Sequence, residues 1–313
     1  MAYPIERKLV IAIASSALFD LSESDRIFRE KGVGEYRKFQ EANIDKTLNT
    51  GVAYPFIRRF LSLNTFFPEQ EPVEVVLLSR NSPETGMRVF RSIQKYDLDI
   101  SKAAFFSGKS PYQYLPAFNA SLFLSANAED VGKAIKAGFP AGRVIETPVL
   151  DDEKDNELRV AFDFDGVLAD DAAEIVFKTT NDLKKFHDSE TQLSLVPHNP
   201  GPLQDLFRKI SSFQKLETEK IKKDPGHRRI LKIAIVTARS APSHERMINT
   251  LKSWGVSVDE TFFLGGMEKK RILQVMKPHI YFDDQTLHLE RIDKIPLVHI
   301  PFGIANNATE PSP

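Results

Sequence analysis

The chain has 313 residues and a mass of 35.4 kDa, which predicts two units of comparable size or one enlarged α/β domain. Its 42 Lys and Arg residues against 43 Asp and Glu residues leave a formal charge of −1, and 42% of the residues are hydrophobic. This balance is typical of a folded protein with a sizeable core and excludes disordered or collagen-like chains. Cysteine is absent, so any metal must have oxygen or histidine ligands.

The sequence carries no targeting or membrane-spanning pattern. No run approaches the roughly 20 apolar residues that cross a bilayer, and the N-terminus lacks the pattern of a signal peptide. We therefore expect a cytoplasmic protein without a membrane partner. The near-neutral charge argues against nucleic-acid binding, which normally needs a basic face. Small molecules are the expected ligands.

Short apolar runs that end in polar residues are typical of buried parallel strands. Six runs are predicted as strands: Leu9–Ala14, Val73–Leu78, Ala120–Leu124, Leu158–Phe162, Ile230–Val236 and His279–Phe282. Helical spacing predicts helices between them, at Pro83–Tyr96, Glu129–Ala137, Pro202–Gln214, Ser243–Trp254 and Lys269–Met276. This alternation predicts an α/β fold with parallel sheets in doubly wound, Rossmann-like units.

The two halves of the chain share segments at a nearly constant spacing. Four pairs match in the same order: Gly51–Phe60 with Gly201–Ile210, Arg80–Pro83 with Arg239–Pro242, Phe105–Gly108 with Phe262–Gly265, and Leu122–Ala126 with Ile280–Asp284. Their spacings are 150, 159, 157 and 158 residues. We predict an internal duplication, and we place the boundary in the acidic segment Pro148–Glu157, giving domains of residues 1–150 and 151–313.

Reactive side chains occupy the strand ends of the second copy only. They are Asp163, Asp165, Thr237, Asp283 and Asp284, with Lys269 and Lys270 opening the helix before the last strand. The aligned positions of the first copy have no carboxylate: Ser15, Ala17, Leu78, Ser125 and Ala126. This difference predicts one catalytic copy and one catalytically silent copy.

The Asp163 and Asp165 pair suits phosphoryl transfer. Two carboxylates two residues apart at a strand end can project toward one site, and Gly166 lets the chain turn sharply after them. One carboxylate can attack phosphorus while the other serves as acid and base. Several acids at one site need a cation, and Asp163 with an acid of the Asp283–Asp284 pair offers Mg²⁺ the oxygen ligands it prefers.

The motifs DFDGVL, VTAR, a lysine ahead of a helix and HIYFDDQ, in this order, resemble the phosphatase branch of the haloacid dehalogenase (HAD) superfamily. A closer resemblance, to the AMP-preferring cytosolic 5'-nucleotidase I family, covers nearly the whole chain. It is carried by SSALFDL, GVGEYRKFQ, GVAYPF, SGKSPYQYLPAFNASLFLSANAE, VTARSAPS, LKSWGVSVDE, FFLGG, KPHIYFDDQTLH and HIPFG. The resemblance implies a HAD fold and Mg²⁺-dependent hydrolysis of nucleoside 5'-monophosphates through an aspartyl-phosphate.

The resemblance also implies roles for individual residues. Asp163 would be the nucleophile, and Asp165 would protonate the leaving ribose 5'-oxygen and later activate water. Thr237, Ala238 and Lys269 would bind phosphate, and the alignment favours Lys269 over its neighbour as the third-motif lysine.

The metal site implied by the resemblance comprises four acids: Asp163, Asp165, Asp283 and Asp284. Which member of the last pair binds the metal directly is left open. Known members read Asp-Gly-Asp-Ala where this chain has Asp163-Phe164-Asp165-Gly166. Both acids are kept, and the departure leaves the fine substrate preference open.

Three further expectations concern the surroundings of the site. The segment of about residues 172–197 is predicted to be a small cap that excludes water, and Arg239 is expected to order its loop by pairing with a carboxylate. A nucleotide effector on the silent half is an open alternative, and the oligomeric state is not indicated. Two other functions also stay open: a phosphatase for sugar phosphates or other small phosphomonoesters, and a nucleotide-sensing regulatory protein.

Overall fold

Buried apolar strands form a parallel sheet in each half of the chain. The structure is a computed structural model and describes residues 3–224 and 226–306. The chain divides into two compact units, Met1–Val149 and Leu150–Pro313. Within each unit the paired strands run parallel, which confirms the predicted α/β class. No helix in the described part of the chain is long and apolar enough to cross a membrane.

The first unit has five strands in the order β3-β2-β1-β4-β5. The strands are β1 (Leu9–Ile13), β2 (Val73–Ser79), β3 (Lys102–Phe105), β4 (Ala120–Ser125) and β5 (Ala141–Ile145). The helices of its described residues are α1 (Ser15–Leu18), α2 (Ser22–Ala42), α3 (Tyr54–Phe66), α4 (Pro83–Lys95) and α5 (Ala128–Lys136). Strands β1 and β2 are buried along their whole length and form the centre of the core.

The second unit has five strands in the order β10-β9-β6-β7-β8. The strands are β6 (Leu158–Phe162), β7 (Leu231–Thr237), β8 (Glu260–Phe263), β9 (Ile280–Asp283) and β10 (Leu297–His299). The helices of its described residues are α6 (Ala172–Thr180), α7 (Leu183–Gln192), α8 (Gln204–Lys223), α9 (His244–Ser253), α10 (Lys269–Met276) and α11 (Thr286–Leu289).

Both sheets have the same strand order. When the strands of each unit are numbered along the chain, each sheet reads 3-2-1-4-5. In open parallel sheets, ligands bind beyond the carboxyl ends of the strands where the order reverses. In the second unit the order reverses between β6 and β9. Strand β6 leads into Asp163 and Asp165, and β9 leads into Asp283 and Asp284.

The strand register corrects one predicted alignment. The Leu264 amide donates a hydrogen bond to the Thr237 carbonyl, as the Phe106 amide donates one to the Ser79 carbonyl. The strand register agrees, because Thr237 pairs with Phe263 and Ser79 pairs with Phe105, so Phe105 corresponds to Phe263 and not to Phe262. Ser79, and not Leu78, therefore holds the position of Thr237 in the first unit. The matching Arg and Pro that follow each strand placed the sequence alignment one residue too far.

A second correction concerns the position of Asp163. The Asp163 amide donates a hydrogen bond to the carbonyl of Phe282 on the neighbouring strand, and the Ala14 amide donates one to the carbonyl of Leu124. Ala14, and not Ser15, therefore holds the position of Asp163 in the first unit. The corrected position still has no carboxylate.

Candidate active site

Asp163 follows β6 directly and is the buried centre of an acidic cluster. Its Oδ1 accepts a hydrogen bond from the Phe164 amide at 2.7 Å, and its Oδ2 lies 2.6 Å from Lys269 Nζ. The pKa of Asp163 is raised to about 7. Burial is the main cause, repulsion from Asp283 and Asp165 adds to it, and the charge of Lys269 offsets it only in part. This carboxylate lies at the end of a strand, next to a fixed positive charge.

Lys269 begins α10 and projects into this cluster. Its Nζ donates a hydrogen bond to Asp283 Oδ2 at 2.8 Å, in addition to the contact with Asp163. Burial disfavours the charged lysine, but the charges of Asp163 and Asp283 outweigh that effect and raise the Lys269 pKa. The adjacent Lys270 is half-exposed, and its Nζ lies 3.7 Å from Asp293 Oδ1. Lys269 is therefore the lysine that the fold places beside the acids.

Asp283 ends β9 and is fully engaged by hydrogen bonds. Its Oδ2 accepts from Lys269 at 2.8 Å and from the Tyr281 hydroxyl at 2.6 Å. Its Oδ1 accepts from the Gln285 amide at 2.9 Å and lies 3.2 Å from His288 Nδ1. Burial alone would raise the Asp283 pKa, but Lys269 and His288 together hold it well below its ordinary value.

Asp284 differs from its neighbour because both of its carboxyl oxygens are buried without a hydrogen-bond partner among the described residues. Burial, followed by repulsion from Asp163, Asp283 and Glu174, raises its pKa to about 9. The carboxyl group lies against the turn at Gly166, where a Cβ would lie 2.6 Å from Asp284 Oδ2. Gly166 also has a φ of 70°, a conformation that favours glycine.

A divalent cation fits this group of donors. One ligand atom from each of Asp163, Asp283 and His288 lies within 4.8 Å of the others. The unpartnered oxygens of Asp284 add a donor that a positive ion would satisfy. A donor set rich in carboxylate oxygen is the kind that suits Mg²⁺.

Asp165 pairs with Arg239. Arg239 donates from Nε to Asp165 Oδ2 at 2.7 Å and from Nη2 to Oδ1 at 2.6 Å. The guanidinium carbon lies 5.2 Å from the ring centre of Phe164 and 5.6 Å from that of Phe186. Burial opposes the arginine charge, but Asp165 and then Glu190 raise the Arg239 pKa. The expected pairing of Arg239 with a carboxylate is therefore present.

The residues predicted to bind phosphate end the neighbouring strand. Thr237 is the last residue of β7 and is buried, and its Oγ1 accepts a hydrogen bond from the Arg239 amide at 3.2 Å. Ala238 is exposed. Together with Lys269 and His288, Ala238 lines a cavity of about 210 Å³. The carboxyl ends of β6, β7 and β9 thus bring the predicted residues to one edge of the sheet.

A family model of 5'-nucleotidases matches residues 1–307. The chain belongs to the 5'-nucleotidase family. Human cytosolic 5'-nucleotidase 1B is 32% identical to it over 296 residues, which cover 92% of this chain and 47% of the human protein. The chain thus spans about half the length of this curated relative. The resemblance noted in the sequence is confirmed at the level of the family.

Four residues of this 5'-nucleotidase family member contact the predicted site and were not assigned to it from sequence. His288 lies close to the acidic pair in sequence, and that proximity was the available signal. Tyr281 lies two residues before Asp283 on β9, inside the motif HIYFDDQ, but no role was assigned to it from sequence. Glu190 and Glu174 gave no signal, because their contacts join segments that are distant along the chain. Tyr281 donates to Asp283, Glu190 contacts Arg239, and Glu174 accepts from Gln285 Nε2 at 3.0 Å.

Proposed function

We propose that this chain is a Mg²⁺-dependent 5'-nucleotidase that hydrolyses nucleoside 5'-monophosphates, with AMP as the type substrate, to nucleoside and phosphate. Family membership supports the substrate class. The observation that carries the chemistry is the Asp163 carboxylate, which stands at a strand end beside Lys269 and an unpartnered acid, Asp284.

In the first step, an oxygen of Asp163 attacks phosphorus and forms an aspartyl-phosphate. The bond between phosphorus and the ribose 5'-oxygen breaks, and the leaving oxygen takes a proton from the Asp165 carboxyl group. In the second step, Asp165 takes a proton from water while the water oxygen attacks phosphorus. Phosphate leaves, and Asp163 is regenerated as a carboxylate.

The phosphoryl group needs positive charge and hydrogen-bond donors around its oxygens. We propose that the Thr237 hydroxyl, the Ala238 amide and Lys269 supply them. The raised pKa of Lys269 keeps this side chain charged throughout the neutral range. Its hydrogen bond to Asp283 fixes its position beside Asp163.

We propose that Asp163 and Asp284 are the side chains that hold Mg²⁺. The two buried carboxyl oxygens of Asp284 have no hydrogen-bond partner in the part of the chain that the structure describes, whereas those of Asp283 already accept hydrogen bonds. Asp165 was also predicted as a metal residue; both of its carboxylate oxygens accept hydrogen bonds from Arg239, and we assign this carboxyl group to proton transfer. When bound, the ion supplies positive charge that stabilises the charge developing on the phosphoryl oxygens.

We further propose that the chain is a duplicated HAD-like domain whose first copy, residues 1–150, is catalytically silent and whose second copy, residues 151–313, is catalytic. Three observations support this: the shared strand order, Ala14 at the position of Asp163, and hydrogen bonds that recur 150 residues apart. Examples are the pairs Gly51 N to Leu18 O and Gly201 N to Leu168 O. Helices α6 and α7 form the proposed cap. The cytoplasmic location and a nucleotide effector stay predictions from the sequence.

The test of the proposed function is a phosphate-release assay on the purified chain. AMP, IMP, CMP and glucose 6-phosphate would each be supplied with Mg²⁺ or with EDTA. We expect turnover of at least one nucleoside monophosphate, with Mg²⁺ only, above that of the sugar phosphate. Preference for glucose 6-phosphate, or equal turnover in EDTA, would overturn the proposal.

A further inference from the structure

Glu190 on α7 is a buried carboxylate that lies between two arginines. Its Oε1 accepts a hydrogen bond from Arg246 Nη1 at 2.7 Å, and its Oε2 accepts from Arg239 Nη1. His198 Nε2 lies 3.2 Å from Oε2. Burial opposes ionisation, but the hydrogen bond with His198 and the charge of Arg239 lower the Glu190 pKa to about 2. Glu190 is therefore a fixed negative charge at neutral pH.

Arg239 connects Glu190 to Asp165. Its Nη1 donates a hydrogen bond to Glu190, while its Nε and Nη2 form a bidentate contact with Asp165. The rings of Phe164 and Phe186 pack near the guanidinium and restrict its orientation. A planar fork of this kind fixes the direction of a carboxylate, and each carboxylate oxygen keeps lone-pair capacity for a further proton or hydrogen bond.

Two hydrogen bonds around Glu190 in the second unit recur at the corresponding positions of the first unit, and we call this pair of contacts the framework. Arg88 Nε donates to the carbonyl of Lys46 at 2.8 Å, as Arg246 Nε donates to that of Val196 at 2.9 Å. The second contact of the framework is Leu48 N to Ser92 Oγ in the first unit and His198 N to Thr250 Oγ1 in the second, both at 3.0 Å.

The two frameworks differ at the charged positions. Gln40 stands in the first unit where Glu190 stands in the second, and it accepts from Arg88 Nη1 at 3.5 Å. Asn81 stands where Arg239 stands, because its amide bonds the Ser79 hydroxyl as the Arg239 amide bonds that of Thr237, each at 3.2 Å. The framework therefore forms in the first unit with neutral residues at these two positions. The Glu–Arg pair occurs in the unit that also carries Asp165.

We infer that Glu190 is a positioning residue for the reaction: it holds Arg239 so that the guanidinium keeps the Asp165 carboxyl group in its working direction. The inference rests on the proposed function. In that function the Asp165 proton passes to the leaving oxygen as the bond from phosphorus to oxygen breaks. Loss of Glu190 would leave Asp165 in place but poorly oriented.

The test compares two leaving groups in the full-length chain and its Glu190→Gln variant. AMP leaves as an alkoxide that needs the proton, whereas 4-nitrophenyl phosphate leaves as a stabilised phenolate that does not. We expect kcat/KM for AMP to fall by about 10- to 100-fold, and kcat/KM for 4-nitrophenyl phosphate to fall much less. We compare kcat/KM because it reports the first step and excludes the second step, in which Asp165 acts on water for both substrates. Both substrates are measured on one preparation, so the ratio of the two rates does not depend on the folded fraction.

The first unit supplies a matched control. The reciprocal exchange, Gln40→Glu, changes the corresponding position away from Asp165 and should leave the ratio at the wild-type value. Should the Glu190→Gln chain not fold, Glu190→Asp, which keeps the charge on a shorter side chain, should shift the ratio in the same direction. If the wild-type chain turns over AMP and the Glu190 variant shows the same ratio as the wild-type chain, this inference alone is overturned. No wild-type turnover of either substrate would overturn the proposed function as well.

Discussion

Lys269 Nζ lies 2.6 Å from Asp163 Oδ2, and both side chains are buried. The neighbouring Lys270 is half-exposed and lies 3.7 Å from an aspartate outside the site. Two adjacent lysines on one helix therefore differ in environment but not in chemistry. The pair offers a matched comparison of a residue in the site with one on the surface.

Replacing Lys269 with methionine should abolish most activity, whereas Lys270→Met should stay close to wild type. Removing Lys269 deletes the charge proposed to offset the phosphoryl group, which we expect to cost about 100-fold or more in kcat. It also removes the lysine charge that lies beside both Asp163 and Asp283, so a melting curve accompanies the kinetics. Equal activity of the two folded variants would contradict the placement of Lys269 at the phosphate.

Gly166 should be needed to leave room for the Asp284 carboxyl group as well as to form its turn. An alanine there would place its Cβ 2.6 Å from Asp284 Oδ2. At Gly255, which also has a positive φ, a Cβ would have no heavy atom of the other described residues within 4 Å. Each Gly→Ala change should lose about 1–2 kcal/mol of stability from backbone strain. The change at Gly166 alone should also raise the Mg²⁺ concentration for half-maximal activity. Urea denaturation and Mg²⁺ titration of both variants check this, and an unchanged Mg²⁺ requirement in Gly166→Ala would contradict it.

Asp284 should make the metal-free chain less stable as pH rises. Its pKa is about 9 in the folded protein and about 4 in an unfolded chain, so between these values the folded state binds the proton more tightly. The stability contributed by this group is therefore present at low pH and is lost as pH rises toward 9. Asp163, with a pKa raised to about 7, acts in the same direction.

Melting temperatures in EDTA at pH 6.5 and 8.5 measure this effect. The wild-type chain should lose more stability between the two values than Asp284→Asn, because the amide cannot ionise. Mg²⁺ should restore the wild-type chain at pH 8.5 and stabilise the variant much less. Parallel losses in the two chains would assign the pH dependence to other groups.

The central strands and the acids could be predicted from sequence because each is encoded locally. The ends of the six predicted strands agree with the structure to within one residue. Short, mostly apolar runs such as those of β1 and β2 are typical of buried parallel strands. Helix α10 was predicted with the correct bounds, since its apolar spacing and its flanking residues both indicate a helix over Lys269–Met276.

The remaining elements are encoded less clearly. Four strands were not predicted, β3, β5, β8 and β10, and they have only three to five residues. Strands β3 and β8 are only partly buried, so neither shows a continuous apolar run. Helix α8 continues to Lys223, well past its predicted end at Gln214. The continuation was not predicted because the last turns are rich in lysine and glutamate and lack the apolar stripe.

The contacts that orient the acids could not be predicted, because they join distant segments. Asp165 and Arg239 are 74 residues apart, and Arg239 and Glu190 are 49 apart. Phe164 interrupts the expected Asp-Gly-Asp pattern, and its ring is fully buried near the Arg239 guanidinium and Trp254. Its role in packing depends on the fold and has no signature in the motif.

The most direct test of the central claim is the capture of a phosphorylated protein. AMP labelled with ³²P at its phosphate would be mixed with the chain and Mg²⁺, and the reaction would be stopped in acid within milliseconds. We predict protein-bound label in the wild-type chain, none in Asp163→Asn, and loss of AMP turnover in that variant. Labelling or turnover retained by Asp163→Asn would contradict the assignment of Asp163 as the nucleophile.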